Sequence, residues 1–122
     1  MEDLSNRIIE LMKLSLSGVD PEFLAKGEIL IEQGAEDKDI FLIIDGKVLV
    51  LINDIPVAVL DSPAIVGEMS LIYERRSATV KVVDEITFHR LKPNLLTADV
   101  KNLLKELANL RNKSNTEKGY KK

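Results

Sequence analysis

The chain has 122 residues, of which 45% are hydrophobic and 30% charged, and it contains no cysteine. This length suits one domain with one core, and the apolar content is too high for general disorder. The absence of cysteine excludes disulfides and thiolate metal sites. The net charge is −3, but the last 12 residues hold five basic side chains against Glu117 alone, so the first 110 residues carry −7. The negative charge of these 110 residues argues against a general nucleic-acid-binding surface.

The N-terminus has neither the basic start nor the apolar stretch of a signal peptide. No apolar run approaches the roughly 20 residues that would span a bilayer. These two features predict a cytoplasmic protein.

Near the N-terminus the apolar residues have the spacing of a helix. Leu4, Ile8, Leu11, Met12 and Ser15 fall on one face, which predicts an amphipathic helix over residues 3–16.

From residue 23 to residue 91 the pattern changes to short apolar runs separated by Gly, Pro, Asp and Asn. Their length and their spacing of roughly 8–12 residues predict a compact β-roll, so the fold class is mostly β with flanking helices. Gly27, Gly34 and Gly46 are interpreted as turn formers. The predicted strands are Ile29–Ile31, Ile40–Ile44, Val48–Ile52, Val57–Leu60, Thr79–Val83 and Ile86–Leu91.

After Pro93 the helical period returns and predicts C-terminal helices over residues 93–111. Residues 112–122 are predicted to form a basic, disordered tail, so the domain covers residues 1–111. The apolar stripe of the helix comprises Leu96, Val100, Leu103, Leu104, Leu107 and Leu110.

Catalytic and metal-binding patterns are missing from the sequence. A metal centre in a β-roll needs several converging histidines and carboxylates, and His89 is the one histidine. An acidic stretch begins at Glu36, but Leu42 stands where a calcium loop would need glycine. No G-x-S-x-G turn presents a serine. We therefore expect no catalytic residue, no metal, no cofactor and no enzyme activity.

The segment from Gly67 to Val80 is the richest in binding chemistry. Gly67 permits close backbone approach, and a short helical turn after it would point N–H groups outward as an anion site. Glu68 can accept hydrogen bonds from hydroxyls, and Arg76 offers a guanidinium suited to two phosphate oxygens. Taken singly, Glu68 could be a helix N-terminal acid and Arg76 a surface strand residue. Together they predict a pocket for a sugar phosphate.

This segment resembles the phosphate-binding cassette of cyclic-nucleotide-binding domains, as found in protein kinase A regulatory subunits, cyclic-nucleotide-gated channels and the bacterial catabolite activator protein. The matching residues are Gly67-Glu68-Met69-Ser70-Leu71 and Arg76-Ser77-Ala78-Thr79-Val80. Upstream, Lys26 to Gly34 and Asp39 to Val48 resemble the family's preceding strand and hairpin, with Gly46 at the hairpin turn. The resemblance covers about residues 23–110.

The resemblance implies an eight-stranded jelly-roll-like β-roll with an N-terminal helix, a short cassette helix and a C-terminal helix. It implies that Glu68 holds the ribose 2′-hydroxyl and Arg76 the cyclic phosphate, with backbone amides near Ser70 and Ser77 completing the site. The predicted ligand-binding residues are Gly67, Glu68, Met69, Ser70, Arg76 and Ser77. The resemblance implies that the ligand is a 3′,5′-cyclic nucleotide, with cyclic AMP favoured over cyclic GMP because Ser77 stands where cyclic-GMP-selective relatives often have threonine.

By the same resemblance, the C-terminal helix would cover the pocket and relay the signal. Leu107, Leu110 and Arg111 are its candidate lid residues. Heptad spacing along the same stripe allows a homodimer through this helix. The chain is too short after the helix for a DNA-binding domain, and no membrane segment is expected.

Three departures from the family pattern support an alternative function. Pro63 to Val66 replaces the usual glycine and aromatic residue, Arg75 replaces the usual proline, and the gap from Glu68 to Arg76 is about one residue short. A structural or oligomerisation module that keeps the fold without ligand is therefore the alternative.

Overall fold

A computed structural model describes residues 2–117 and the side chains of residues 3–113. Two long helices flank six strands. One 3-10 turn, Glu68–Leu71, lies between the last two strands, and another, Pro93–Leu95, leads from the last strand to the second helix. The elements in chain order are α1 (Glu2–Leu16), β1 (Glu22–Leu24), β2 (Ile29–Ile31), β3 (Ile40–Ile52), β4 (Ile55–Asp61), β5 (Ala64–Val66), β6 (Thr79–Leu91) and α2 (Ala98–Glu117).

All strand pairs are antiparallel. The strands lie side by side in the order β1-β6-β3-β4, and in addition β2 pairs with β6 and β5 pairs with β3. The two strands at the centre are 13 residues each, and their register shifts several times between Ile43 and Val48. Such bulges let a strand bend while it stays paired. The mostly β architecture with flanking helices is confirmed.

The prediction of eight strands is wrong, because the described residues form six strands. Residues 40–44 and 48–52 are one continuous strand, and so are residues 79–83 and 86–91. Gly46 lies inside β3 with φ +102° and does not form a hairpin turn. A Cβ there would collide with the carbonyl oxygen of Glu85, so glycine lets the bulged strand approach β6.

Alternating side chains of β3 divide the core into two clusters, because successive residues of a strand point to opposite faces. Phe41 and Ile43 belong to the cluster inside the roll, where Phe41 meets Phe88 edge to face at 5.7 Å. Ile40 and Leu42 belong to the second cluster, between sheet and helices. The helices supply Leu4, Ile8, Ile9, Met12, Leu104 and Leu107 to that second cluster.

The two helices follow the sequence pattern with one difference at the C-terminus. α1 ends at Leu16 as predicted. α2 continues to Glu117, so residues 112–117 are helical where a disordered tail was predicted. Neither Pro nor Gly interrupts that stretch, so nothing in the sequence stops the helix. The rest of the predicted tail, residues 118–122, lies outside the described residues. Within residues 2–117, no helix is both long and apolar enough to cross a bilayer.

Candidate functional site

A cavity of about 170 Å³ opens between the inside of the roll, the 3-10 turn Glu68–Leu71 and α2. Aliphatic side chains form most of its wall: Ile31, Val50, Val57, Ala58, Leu60, Val66, Ala78 and Val80. Its polar residues are Glu68, Arg76, Ser77 and Arg111. A mostly apolar concavity with a few converging polar groups is the usual form of a small-molecule site.

Gly67 controls the polar end of this cavity through its backbone. It precedes the 3-10 turn with φ +89°, a conformation that glycine adopts without strain. A Cβ at this position would lie 2.7 Å from the carbonyl oxygen of Asp39 and 3.1 Å from Nη1 of Arg76. Glycine is therefore required both for the turn and for the close approach of Arg76.

Arg76 is only 4% exposed, and its guanidinium is held by three neighbours. Nη1 donates to the carbonyl oxygen of Gly67 at 3.0 Å, and Nη2 donates to the carbonyl oxygen of Asp39 at 2.6 Å. Nε and Nη2 both donate to Oδ2 of Asp37, at 3.2 and 2.7 Å. An arginine has five N–H donors, so one on Nη1 remains for a ligand among the described contacts.

Asp37 provides the counter-charge of Arg76 from the rim of the site, where its side chain is about half exposed. Hydrogen bonds from Arg76 hold the pKa of Asp37 below its ordinary value, against a smaller effect of desolvation. The carboxylate is thus ionised at neutral pH. A ligand phosphate that engaged Arg76 at two oxygens would have to displace one of the present acceptors.

Glu68 is the second buried charge, at 3% exposure, and it pairs with α2. Its Oε1 lies 3.0 Å from Nη1 of Arg111. The same nitrogen donates to the carbonyl oxygen of Ile65 at 2.6 Å. Because a buried carboxylate without a partner is costly, Arg111 stabilises Glu68 in the apolar wall. The pair also fixes α2 to the 3-10 turn.

The segment between Glu68 and Arg76 is short, and it is fastened to the turn that follows β2. Lys38 Nζ donates to the carbonyl oxygen of Tyr73 at 2.9 Å and also to that of Glu74. The backbone of Arg76 exchanges hydrogen bonds with Ala35 and Gly34, at 2.7 and 2.8 Å. These bonds hold the short segment so that Arg76 reaches the cavity.

Five of the six residues predicted to bind ligand line one cavity: Gly67, Glu68, Met69, Arg76 and Ser77. Ser70 is not among the lining residues, and its hydroxyl donates to the carbonyl oxygen of Lys38 at 2.9 Å. Of the lid candidates, Arg111 lines the cavity, Leu107 is fully buried in the second core cluster and Leu110 is 41% exposed. The role of each residue in binding stays a prediction.

Sequence reasoning missed the aliphatic wall and the acidic partner of Arg76. The sequence predicts strands at Val50, Val57 and Leu60, but the position of these residues over the cavity depends on the pairing of β3 with β4. Asp37 lies in the acidic run that begins at Glu36 and lacks the glycine of a calcium loop. No sequence signal distinguished it from Glu36 or Asp39.

Comparison with known protein families and structures agrees with this geometry. The family model described as cyclic nucleotide-binding domain matches residues 21–98, well over half of the chain. A comparison with curated proteins gave no match.

Solved structures share the fold. The chain is similar to the structure described as "cAMP bound PfPKA-R (141-441)", with a TM-score of 0.74 and 22% identity over 84% of this chain and 38% of that one. It is similar to "Sp-2Cl-cAMPS bound to PKAR CBD2", with a TM-score of 0.75 and 21% identity over 84% and 73%. The Thermus thermophilus catabolite activator protein gives a TM-score of 0.61 and 26% identity over 80% and 47%.

The chain thus spans less than half the length of two of these three structures. The match of the family model covers β1 to β6 and includes the two buried charged residues of the cavity, Glu68 and Arg76. It confirms the family resemblance inferred from the motifs. The chain belongs to the cyclic nucleotide-binding domain family.

Proposed function

We propose that this chain is a regulatory sensor module that binds a 3′,5′-cyclic nucleotide without transforming it. In this proposal Arg76 binds the cyclic phosphate and Glu68 the ribose 2′-hydroxyl. The base lies against the aliphatic wall. The cytoplasmic location remains a prediction.

One observation carries the proposal: Glu68 and Arg76 are both less than 5% exposed and both face one largely apolar cavity. A few polar groups that converge on one largely apolar cavity are typical of a small-molecule site. A sugar phosphate has an anionic end for Arg76 and hydroxyls for Glu68. The two comparison structures described as bound to cAMP or its analogue support the same ligand class.

Isothermal titration with cyclic AMP and cyclic GMP tests the proposal. We expect saturable binding of both nucleotides, with one site per chain and tighter binding of cyclic AMP. If millimolar nucleotide gives neither a heat of binding nor a thermal shift, the module does not bind a cyclic nucleotide.

The preference for cyclic AMP depends on Ser77, which lines the cavity. A threonine hydroxyl is restricted by its methyl group, whereas the serine hydroxyl rotates more freely. Ser77 therefore offers a less fixed donor or acceptor to a guanine amino group. We expect Ser77→Thr to shift the affinity ratio toward cyclic GMP, as measured by titration with both nucleotides. An unchanged ratio would remove Ser77 from the account of selectivity.

We also propose that α2 reports occupancy. Arg111 binds the carboxylate that a ribose hydroxyl would use, so ligand and helix meet at the same group. A ligand that changes this contact changes the relative stability of the docked and undocked helix.

A ligand-free structural module is the second candidate function, and the ion pairs of the site favour it. Arg76 already uses four donors within the protein, and Glu68 already has Arg111. Both buried charges are therefore stable without ligand. The titration above separates the two functions.

A further inference from the structure

Lys38 contacts both ends of the segment that connects the two buried charges of the cavity. Its carbonyl oxygen accepts a hydrogen bond from the hydroxyl of Ser70 at 2.9 Å, and Ser70 belongs to the 3-10 turn that carries the buried carboxylate. The ammonium group of Lys38 donates to the carbonyl oxygen of Tyr73 at 2.9 Å and also to that of Glu74, two positions before the buried arginine. One residue thus joins the turn that carries the carboxylate to the segment that leads to the guanidinium.

The segment that Lys38 holds has no regular structure of its own. Residues 72–78 belong to no helix and no strand, so no ladder of main-chain hydrogen bonds fixes their path. Bonds from the neighbouring loop therefore decide where this part of the chain lies.

The ammonium group of Lys38 is used on main-chain oxygens. The residue is half-buried, and within the described part of the chain it forms no ion pair. Hydrogen bonds from an ionised donor are roughly twice as strong as those between neutral groups. Lys38 thus has the contacts of a residue that positions its neighbours rather than those of a solvated surface charge.

The separation of Glu68 and Arg76 matters because the proposed ligand is rigid. In a 3′,5′-cyclic nucleotide the phosphate is fused to the ribose, so the distance from the phosphate to the 2′-hydroxyl is nearly fixed. Binding groups for such a ligand have to be held within about 0.5 Å of the productive geometry. A residue that sets their separation can therefore change affinity without touching the ligand, and Lys38 does not line the cavity.

From these contacts we infer that Lys38 is a positioning residue for nucleotide binding, which sets the separation of Glu68 and Arg76. It thereby determines how strongly the site selects a ligand that has both a 2′-hydroxyl and a cyclic phosphate. This inference rests on the proposed function and deepens it.

Titration of the full chain with cyclic AMP and with 2′-deoxy cyclic AMP tests the inference. The two nucleotides carry the same charge, but the deoxy compound lacks the hydroxyl that Glu68 would bind. A hydrogen bond to a charged group is worth about a factor of ten in affinity, so the wild type should prefer cyclic AMP about tenfold. In Lys38→Met this ratio should fall to about threefold or less, because the two anchors no longer fit one ligand together.

The affinity ratio separates positioning from simpler effects. Loss of a positive charge or a general loss of stability would weaken both nucleotides alike and leave the ratio unchanged. Lys38→Arg keeps donors for two carbonyl oxygens and should recover the ratio. Lys26→Met is the matched control, because Lys26 is exposed in the turn after β1 and lies outside the cavity.

Ser70→Ala removes the other bond of Lys38 and should lower the ratio in the same direction, and it tests the inference even if Lys38→Met does not fold. If the wild type binds and discriminates but both variants keep its ratio, the inference is overturned and the proposed function stands. An equal fall of the ratio in Lys26→Met would also overturn the inference. Absence of nucleotide binding by the wild type would overturn the proposed function and this inference with it.

Discussion

The guanidinium of Arg76 stabilises the fold and is also the proposed anchor for the phosphate. Its bonds to the carbonyl oxygens of Gly67 and Asp39 hold the 3-10 turn against the loop before β3. Its pair with Asp37 keeps the buried charge compensated. A phosphate must share this side chain with structural acceptors, so binding and local stability depend on the same bonds.

Replacing Arg76 by leucine should reduce cyclic AMP affinity at least a hundredfold, or about 2.7 kcal/mol, because a charge-assisted anchor is lost. The melting temperature should also fall, since two partly buried carbonyl oxygens lose their donor. Arg75→Leu is the control, because Arg75 is exposed and pairs with Glu36 outside the cavity. Titration and thermal denaturation of both variants check this. Equal binding by the two variants would contradict the assignment.

A substitution at Gly67 tests whether the close approach of Asp39 and Arg76 to its backbone is needed for binding. Gly67→Ala adds a Cβ 2.7 Å from Asp39 O and imposes a positive φ on alanine, which costs about 1–2 kcal/mol. Gly34→Ala has the same strain at φ +90° but meets no atom within 4 Å. We expect both variants to lose stability in denaturant melts, and Gly67→Ala alone to lose nucleotide affinity. Similar affinities in the two variants would show that the approach of Arg76 tolerates a methyl group.

At the scale of elements, α2 is part of the core as well as a wall of the cavity. Leu104 and Leu107 are fully buried in the second cluster, and Val100 and Leu103 pack against it. The stripe that suggested a heptad dimer is thus largely used within the chain. Pairing through this face would require α2 to leave the core, and a homodimer stays a prediction. Removing the helix would expose the core, so a point change is the better test of a lid.

Arg111→Met should weaken cyclic AMP binding about tenfold, or 1.4 kcal/mol, because Glu68 would be left in the cavity wall as an uncompensated carboxylate that repels the anionic nucleotide. Lys113→Met is the control on the same helix, because Lys113 is exposed and lies outside the cavity. Both variants are compared by titration. Affinity unchanged in Arg111→Met would exclude α2 from the binding site.

At the scale of the whole molecule, ion pairs connect strands that are distant in sequence. Glu22 on β1 binds Arg90 on β6, and Arg90 also lies 5.1 Å above the ring of Phe41 on β3. The hydrogen bond from Arg90 holds the pKa of Glu22 below its ordinary value, outweighing a small effect of desolvation. The pKa of Asp37 is lowered in the same direction by Arg76.

These shifts predict acid sensitivity. A carboxyl whose folded pKa is lowered contributes stability above its unfolded pKa and loses it as the pH falls through the folded pKa. The melting temperature should therefore drop between about pH 5 and about pH 3. The double variant Glu22→Gln, Asp37→Asn should melt lower at pH 7 and lose less on acidification. Parallel acid profiles for the double variant and the wild type would assign the acid loss to other carboxyls.

The sequence by itself determined the order helix, β-roll, helix, the family and the two buried charges of the cavity. Local patterns suffice for these: period 3.6 marks α1 and α2, short apolar runs between turn residues mark strands, and Gly67, Glu68 and Arg76 belong to one short motif. Tertiary structure alone decided that Gly46 continues a strand, because the bulge depends on the approach of Glu85. It also decided that Asp37 neutralises Arg76 and that Arg111, not Leu107, faces the cavity. These pairs lie 35 or more positions apart in the chain, and their contact is set by how β3, β6 and α2 pack.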